Sequence, residues 1–219
     1  MKIKYDLDED NERFIFLKGN HDEWVRDWLT TGKKNPVWVS NGGQSTMDSY
    51  IDSGFLHDKK HIMFYYNMKD YYIDEQNRGF VHGGFYSKLG LGHEIYKSNY
   101  YWDRDLWQIA LLTHGRLHID PNQDSYVSQG RRFENHKEIY IGHTPTVNWD
   151  CKKSWSEYND PNQEVKDGPI TVPMNRCNVW NLDTGAGWSG KLTIMDIDTK
   201  EYWQSDALKK LYNNERGIN

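Results

Sequence analysis

Three short loops of this 219-residue chain each place a metal-binding side chain beside glycine. They are Gly19-Asn20-His21-Asp22, His82-Gly83-Gly84 and Gly142-His143-Thr144-Pro145. Each loop follows a run that predicts a β-strand. Loops at strand ends bring distant residues within a few ångströms, and α/β proteins usually place their sites there. We therefore expect Asn20, His82 and His143 to lie together.

The chemistry of these three side chains favours a divalent metal ion. One amide oxygen and two imidazoles suit a borderline ion such as Mn²⁺, Fe²⁺ or Zn²⁺. The neighbouring glycines let the backbone approach the ion closely. The alternative interpretation of His82 and His143 is that they are ordinary core histidines with satisfied hydrogen bonds.

Both helices and strands are expected to position these loops, which predicts an α/β domain. Residues 13–17 form an apolar run without alternation, typical of a strand buried on both faces of a central sheet. Apolar residues at helical spacing predict a helix that includes Trp24, Val25, Trp28 and Leu29 and ends before Gly32. Further helices are expected at about 45–51, 58–68 and 103–112, and further strands at 71–74, 79–82, 138–141, 178–182, 191–197 and 201–204.

Two segments lack a periodic pattern. Residues 115–134 are polar, and we interpret them as a loop. Residues 146–176 are rich in Asn, Asp, Lys and Pro, and we expect a surface excursion of one domain spanning residues 1–219. The cysteines Cys151 and Cys177 are expected to be free thiols, because no secretion signal precedes them.

Composition narrows the classes of partner. The net charge of −5 provides no basic field for nucleic acid, so we expect no nucleic-acid partner. No apolar run approaches the roughly 20 residues that span a bilayer, and the N-terminal residues lack the apolar core of a signal peptide. A cytoplasmic location without a membrane partner is therefore expected. The aromatic share of 15% is compatible with a large core or a binding surface.

Five segments, in order along the chain, carry a resemblance to a known family. They are Gly19-Asn20-His21-Asp22, Phe80-Val81-His82-Gly83-Gly84, Tyr100-Tyr101-Trp102-Asp103-Arg104, Ile141-Gly142-His143-Thr144-Pro145, and Asn181-Leu182-Asp183-Thr184-Gly185-Ala186 continuing to Tyr202-Trp203-Gln204-Ser205-Asp206. In these segments the chain resembles the calcineurin-like metallophosphoesterases, and among them the bacterial and phage serine/threonine phosphatases, a branch that also contains the diadenosine tetraphosphatases. The resemblance implies a β-sandwich flanked by helices, truncated at its N-terminus relative to the family.

The resemblance also implies roles for particular residues. Asn20, His82 and His143 would bind one metal of a pair, with Mn²⁺ first and Fe or Zn as alternatives. His21 would be the catalytic histidine that protonates the leaving oxygen, a role that suits an imidazolium. Arg104 would clamp the phosphate with its planar guanidinium, the alternative being a surface salt bridge at a helix start. Asp22 either orients His21 or caps the following helix, and the cap is slightly favoured.

The chain departs from the family pattern at its N-terminal end. Family members begin with the loops Gly-Asp-x-His-Gly and Gly-Asp-x-x-Asp-Arg-Gly, which supply the second metal's ligands, and neither loop occurs here. The run Asp6-Leu7-Asp8-Glu9-Asp10 lacks Gly and His and is typical of a solvated acidic turn. Two-metal hydrolysis uses a bridging carboxylate, so the second metal site is doubtful. Without the missing strands, the strand at residues 14–17 would form an unpaired edge.

These observations lead to one main functional hypothesis and its alternatives. The resemblance implies a metal-dependent phosphoric-ester hydrolase, with phosphoserine or phosphothreonine proteins as first substrates and dinucleoside polyphosphates second. The chain as it stands would be impaired, and its missing loops would come from a start codon placed too late or from a separate chain. The alternatives are a non-catalytic phosphatase-like protein that binds phosphorylated partners, and a gene product without activity.

Overall fold

The computed structural model describes residues 14–146 and 170–211. Its centre is a five-stranded mixed sheet with the strand order β1-β2-β3-β5-β4. The parallel strands β2, β3 and β5 lie in the middle, and β1 and β4 pair antiparallel at the two edges. The strands are β1 (Tyr71–Ile73), β2 (Arg78–Val81), β3 (Glu138–Ile141), β4 (Met174–Arg176), β5 (Val179–Asn181) and, in a separate antiparallel hairpin, β6 (Thr193–Met195) and β7 (Tyr202–Gln204).

Eight α-helices lie in the described part of the chain. They are α1 (Asn20–Thr31), α2 (Pro36–Trp38), α3 (Gln44–Ser53), α4 (Lys59–Asn67), α5 (Asn99–Trp102), α6 (Asp105–Thr113), α7 (Ser125–Gly130) and α8 (Leu208–Leu211). A kinked turn at Val39–Gly43, in which Asn41 and Gly42 leave the helical conformation, joins α2 to α3, and a 3₁₀ turn at Arg131–Asn135 follows α7. The α/β class expected from the sequence is confirmed.

One face of the sheet packs on α6 and forms the main core. Alternate strand residues Val81, Ile139 and Val179 are almost fully buried against Leu106 and Trp107 of α6. Since side chains alternate between the faces of a strand, the intervening residues lie on the opposite face. There the ring of Phe80 stacks on that of Tyr140 at 5.0 Å. The main core therefore lies on the helical side of the sheet.

Charged side chains hold the turn between β6 and β7 against this second face of the sheet. Lys200 donates to Glu138 Oε2 at 2.8 Å and lies above the rings of Tyr140 and Trp180. Asp198 accepts a hydrogen bond from Arg78 of β2. The turn at residues 198–200 is thereby held against the central strands.

A second hydrophobic cluster forms between the N-terminal helices. Val25, Trp28 and Leu29 of α1 are buried against Trp38 and Met47. This confirms the predicted helix that ends before Gly32, whose φ of 71° suits a glycine at the helix end. The cluster fixes α1, and with it the Gly19-Asn20-His21-Asp22 loop that begins the helix.

The prediction of a fully buried central strand at residues 13–17 is wrong for the residues described. Leu17 forms only an isolated parallel bridge to Lys69, and Phe14 is 57% exposed. Among the described residues no strand lies on the outer side of this segment, so apolar composition alone could not bury it. Within the described residues, the bridge to Lys69 is the only strand-like pairing of this segment.

The predicted loop at residues 115–134 is also wrong in part. Asp124 accepts hydrogen bonds from the backbone N–H groups of Tyr126 and Val127 and thereby caps α7. Val127 and Phe133 are buried, which holds α7 and the following 3₁₀ turn in place. Elements of only five or six residues are too short to show a periodic pattern in the sequence.

Most of the predicted excursion at residues 146–176 lies outside the described residues, as does Cys151. The excursion ends earlier than expected, because Met174–Arg176 already forms β4. Cys177 is a free thiol, and its burial raises its pKa. Among the described helices, none combines the length and apolarity needed to cross a membrane.

Candidate metal and phosphate site

The structure brings Asn20, His82 and His143 together. His82 Nε2 lies 3.1 Å from Asn20 Oδ1, and the ring centroids of His82 and His143 are 4.9 Å apart. Asn20 is the first residue of α1, while His82 and His143 follow the parallel strands β2 and β3. His82 and His143 meet because the neighbouring parallel strands β2 and β3 end at the same edge of the sheet. Asn20 joins them at the start of α1 through its contact with His82.

Close backbone packing holds the three loops against one another. Gly142 donates to the carbonyl oxygen of His82 at 2.8 Å, which joins the loops after β2 and β3. A Cβ atom on Gly19 would lie 2.9 Å from the His82 ring, so a larger residue would displace that ring. His143 has a φ of 62°, a conformation that is uncommon for a residue other than glycine. Such conformations persist where the surrounding structure enforces them, and they cluster at functional sites.

The two imidazoles are neutral and one of them has a free lone pair. Burial is the main cause that lowers the pKa of His82 to about 4 and that of His143 to about 3. The His143 ring is hydrogen-bonded to the backbone of Trp102, whereas its Nε2 is buried with no partner among the described residues. A histidine fixed in this way by one nitrogen presents the other as a potential metal ligand.

His21 and Asp22 share the loop but have different surroundings. The ring of His21 packs edge-on against Trp24 at 5.2 Å. Burial lowers the pKa of His21, and the nearby Asp22 carboxylate partly opposes this shift. Asp22 Oδ2 accepts a hydrogen bond from the Gly19 N–H at 2.7 Å, so Asp22 caps α1 from its third position. Burial raises the pKa of Asp22.

Arg104 lies between two of the loops. Its Nη1 donates to the carbonyl oxygen of His143 and, at 3.4 Å, to the hydroxyl of Thr144. Burial lowers its pKa, and Asp183 acts in the opposite direction. No salt bridge joins Arg104 to an acidic group within the described ranges, so the alternative of a surface salt bridge does not describe this side chain.

Sequence reasoning missed the residues that anchor the first loop. Lys18 is 9% exposed and donates to Asp70 Oδ1 at 2.9 Å, and Tyr101 donates to the same oxygen at 3.1 Å. Asp70 thus ties the chain before Asn20 to α5, which carries Trp102. A lone Asp before a strand gave no signal of this role.

Sequence reasoning also missed an aromatic wall beside the site, formed by Trp24 and Trp102. The two rings meet edge-on at 4.8 Å, and Trp102 also contacts the ring of His143 at 6.0 Å. Trp102 remains 39% exposed. Helical spacing predicts only that Trp24 lies on α1, and the contacts between α1 and α5 reveal the wall.

Acidic side chains do not complete a metal cluster in the described part of the chain. No group of three or more His, Cys, Asp or Glu side chains there is arranged to hold a metal ion. Asn20, His82 and His143 therefore form a group of one amide and two imidazoles, without a carboxylate that completes a cluster among the described residues. Asp6, Asp8 and Asp10 lie outside the described residues.

Of the other histidines, three have structural partners. His136 is buried and accepts the Leu91 N–H, His61 contacts the Tyr50 hydroxyl, and His114 accepts the Cys177 N–H. His57, His93 and His118 are exposed. Each of these six histidines is thus exposed or has a structural partner.

Comparison with known proteins adds no assignment: no protein-family model matches this sequence, and no curated protein is significantly similar to it.

Proposed function

We propose that this chain is a metal-dependent phosphoric-ester hydrolase domain of the calcineurin-like metallophosphoesterase type, with half of its dinuclear site in the described residues. The observation that supports this most directly is the convergence of Asn20, His82 and His143 from three separate loops. Ordinary core histidines would have both ring nitrogens satisfied, and His143 Nε2 has no partner among the described residues.

The donor set fits one divalent ion. Asn20 Oδ1, His82 Nε2 and His143 Nε2 are one oxygen and two imidazole nitrogens, which suit Mn²⁺ first, with Fe or Zn as alternatives. His82 Nε2 faces the acceptor Asn20 Oδ1, which favours the tautomer with the ring proton on Nε2. To bind an ion through Nε2, the neutral ring would change to the tautomer with its proton on Nδ1. When bound, the ion would supply Lewis-acid stabilisation of a phosphoryl oxygen.

The remaining roles follow from the positions of His21 and Arg104. His21 directly follows Asn20 in the same loop, and there it would donate a proton to the leaving oxygen. Burial lowers its pKa, and the negative charge of a bound phosphate would restore the imidazolium. Arg104 would turn N–H groups toward the phosphate while Nη1 stays on the loop of His143.

We propose that turnover by this chain alone is low. Three neutral ligands leave the charge of a dication uncompensated, and Arg104 adds a further positive charge nearby. A bridging carboxylate and a second ion, supplied by a further segment or a separate chain, would complete the site. Without it, the domain would still bind phosphorylated ligands through Arg104 and His21, which is the non-catalytic alternative.

Two substrate classes are compatible with these residues. Phosphoserine or phosphothreonine proteins are the first proposal, by resemblance. Trp102, which is 39% exposed beside the partly buried Trp24, favours dinucleoside polyphosphates as a second candidate, because an exposed aromatic ring can stack on a nucleobase.

Isothermal titration with MnCl₂ tests the proposal. The chain should bind one equivalent, His82→Ala and His143→Ala should each abolish binding, and the exposed His118→Ala should match the parent chain. Asn20→Asp should bind at least about tenfold more tightly, because a carboxylate offsets the charge of the ion. Circular dichroism establishes that each variant is folded.

Two results would contradict the proposal: binding that persists in both histidine variants, or no binding by the folded Asn20→Asp variant. Hydrolysis of p-nitrophenyl phosphate with Mn²⁺ should stay near background. Fast turnover that is lost in His21→Ala would contradict the proposed impairment while supporting the class of enzyme.

A further inference from the structure

Two different hydrophobic clusters support the three candidate ligands. Asn20 begins α1, which packs in the cluster of the N-terminal helices. His82 and His143 follow β2 and β3, whose buried side chains belong to the main core under the sheet. The distance between Asn20 and the two histidines therefore depends on the contacts that join these clusters.

The short helix α5 is bonded to both histidine loops through backbone groups. The Gly83 N–H donates to the Tyr100 carbonyl oxygen at 2.7 Å, which fixes the loop of His82. The ring of His143 is hydrogen-bonded to the backbone of Trp102. These bonds use backbone atoms of α5, so both histidine loops keep their anchors when a side chain of α5 is changed.

The loop of Asn20 is tied to α5 through side chains, at the carboxylate of Asp70. Asp70 Oδ1 accepts a hydrogen bond from Lys18 Nζ at 2.9 Å and another from the Tyr101 hydroxyl at 3.1 Å. Lys18 lies two residues before Asn20, and Tyr101 is a buried residue of the main core. A single carboxylate oxygen thus joins the chain before Asn20 to the helix that holds both histidine loops.

The ion pair of Lys18 with Asp70 is largely buried. The side chains of the two residues are 11% and 16% exposed. Removing one partner of a buried ion pair leaves the other charge uncompensated, so the freed ammonium would move toward water and take the chain before Asn20 with it. The ring contact between Trp24 and Trp102 also joins α1 to α5, but it lies four residues beyond Asn20 and does not hold the chain that precedes it.

We propose that Asp70 is a positioning residue of the candidate metal site: it sets the place of Asn20 relative to the two histidines and thereby controls the affinity for a divalent ion. It acts through Lys18 and through the hydroxyl of Tyr101. This inference rests on the proposed function, because the site is the one proposed there. Partners that orient metal ligands in this way control affinity by about 10–100-fold.

Asp74 provides a matched control at the other end of β1. Asp70 precedes this strand and Asp74 follows it, and their side chains are 16% and 14% exposed. Asp74 Oδ2 accepts from Arg78 Nε at 2.6 Å, which again pairs a carboxylate with a largely buried cation. Arg78 begins β2, at the opposite end of the strand from the loop of His82. Asp74→Asn therefore removes the same charge and a similar ion pair away from the site.

Isothermal titration with MnCl₂, together with urea unfolding, tests the proposal. Asp70→Asn should weaken binding by about 10–100-fold. Tyr101→Phe, which changes no charge, should also weaken it, and the double variant should lose less than the two single losses combined, because both changes act on one connection. Asp74→Asn should bind like the parent chain even where its stability falls. Unchanged affinity in Asp70→Asn, or an equal loss in Asp74→Asn, would overturn the proposal.

Imidazole ¹⁵N NMR spectra of the metal-free chain separate this inference from the proposed function. His82 Nε2 lies 3.1 Å from Asn20 Oδ1, and a ring proton held there should give a signal that exchanges slowly with water. That signal should persist in Asp74→Asn and be lost in Asp70→Asn. If the parent chain binds no Mn²⁺, the proposed function fails, whereas this loss would still support the positioning of Asn20 by Asp70. A His82 signal that persists in Asp70→Asn would overturn the inference whatever the metal result.

Discussion

At the scale of single residues, the candidate site depends on close backbone approach as much as on ligand chemistry. Gly19 lies against the ring of His82, and His143 adopts a left-handed backbone conformation directly after Gly142. These features place three ring or amide groups around one point. They also identify positions where adding a single methyl group should disturb the site.

Gly19→Ala should displace the His82 ring, because the new Cβ would lie 2.9 Å from its Cε1 atom. We expect a loss of about 1–3 kcal/mol in the free energy of unfolding, the usual cost of overpacking. Mn²⁺ affinity should fall as well. Urea unfolding and metal titration measure the two effects.

Gly142→Ala is the matched control for this prediction. The nearest atom to its new Cβ is the His82 carbonyl oxygen at 3.6 Å, an ordinary van der Waals contact. It should therefore retain both stability and metal binding. Equal losses in the two variants would show that the contact between Gly19 and His82 does not control the position of the ring.

At the scale of elements, a buried histidine links the segment after β2 to the sheet. His136 Nε2 accepts the Leu91 N–H at 3.0 Å, and its Nδ1 lies 3.1 Å from Asn77 Oδ1. Since Nε2 accepts the hydrogen bond from Leu91, it carries no proton; Nδ1 carries the ring proton and donates it to Asn77 Oδ1, so the ring is neutral. The long segment that begins at the His82 loop is thereby fixed at its middle.

Protonation of His136 should weaken the fold in acid. Burial lowers its pKa below the usual 6.5, so the unfolded chain takes up the proton first. Its contribution to stability should be complete above pH 6.5 and be lost as the pH falls below that value toward the lower folded pKa. Urea unfolding between pH 5 and 8 should show a smaller pH dependence in His136→Gln than in the parent chain, and an identical dependence would contradict this role.

For some helices and strands, sequence patterns are enough to predict the element, and for others they are not. The hairpin of β1 and β2, the strands β3 and β5, and the helices α1, α4 and α6 follow from periodicity and turn residues. The helix α7 does not, because six residues capped by Asp124 have no measurable period. The buried strand expected at residues 13–17 failed for another reason, since burial depends on neighbours that a local pattern cannot report.

At the scale of the whole molecule, two hydrophobic clusters hold the parts of the site. The cluster under the sheet positions the loops of His82 and His143, and the cluster of helices α1 to α4 positions Asn20. The rule that loops at strand ends lie close together predicted that Asn20, His82 and His143 would meet. It could not predict the contacts that join the parts, such as the bond from Lys18 to Asp70, because they link residues 52 positions apart in the chain.

The central claim concerns one point in the molecule, where three neutral side chains converge. Crystals of the chain grown with MnCl₂, measured at a wavelength where manganese scatters anomalously, test it most directly. We predict one anomalous peak within coordination distance of Asn20 Oδ1, His82 Nε2 and His143 Nε2, and no peak at that point in His143→Ala. An ordered, manganese-containing crystal with its peak elsewhere, or with His82 still bonded to Asn20 and no ion between them, would contradict the account.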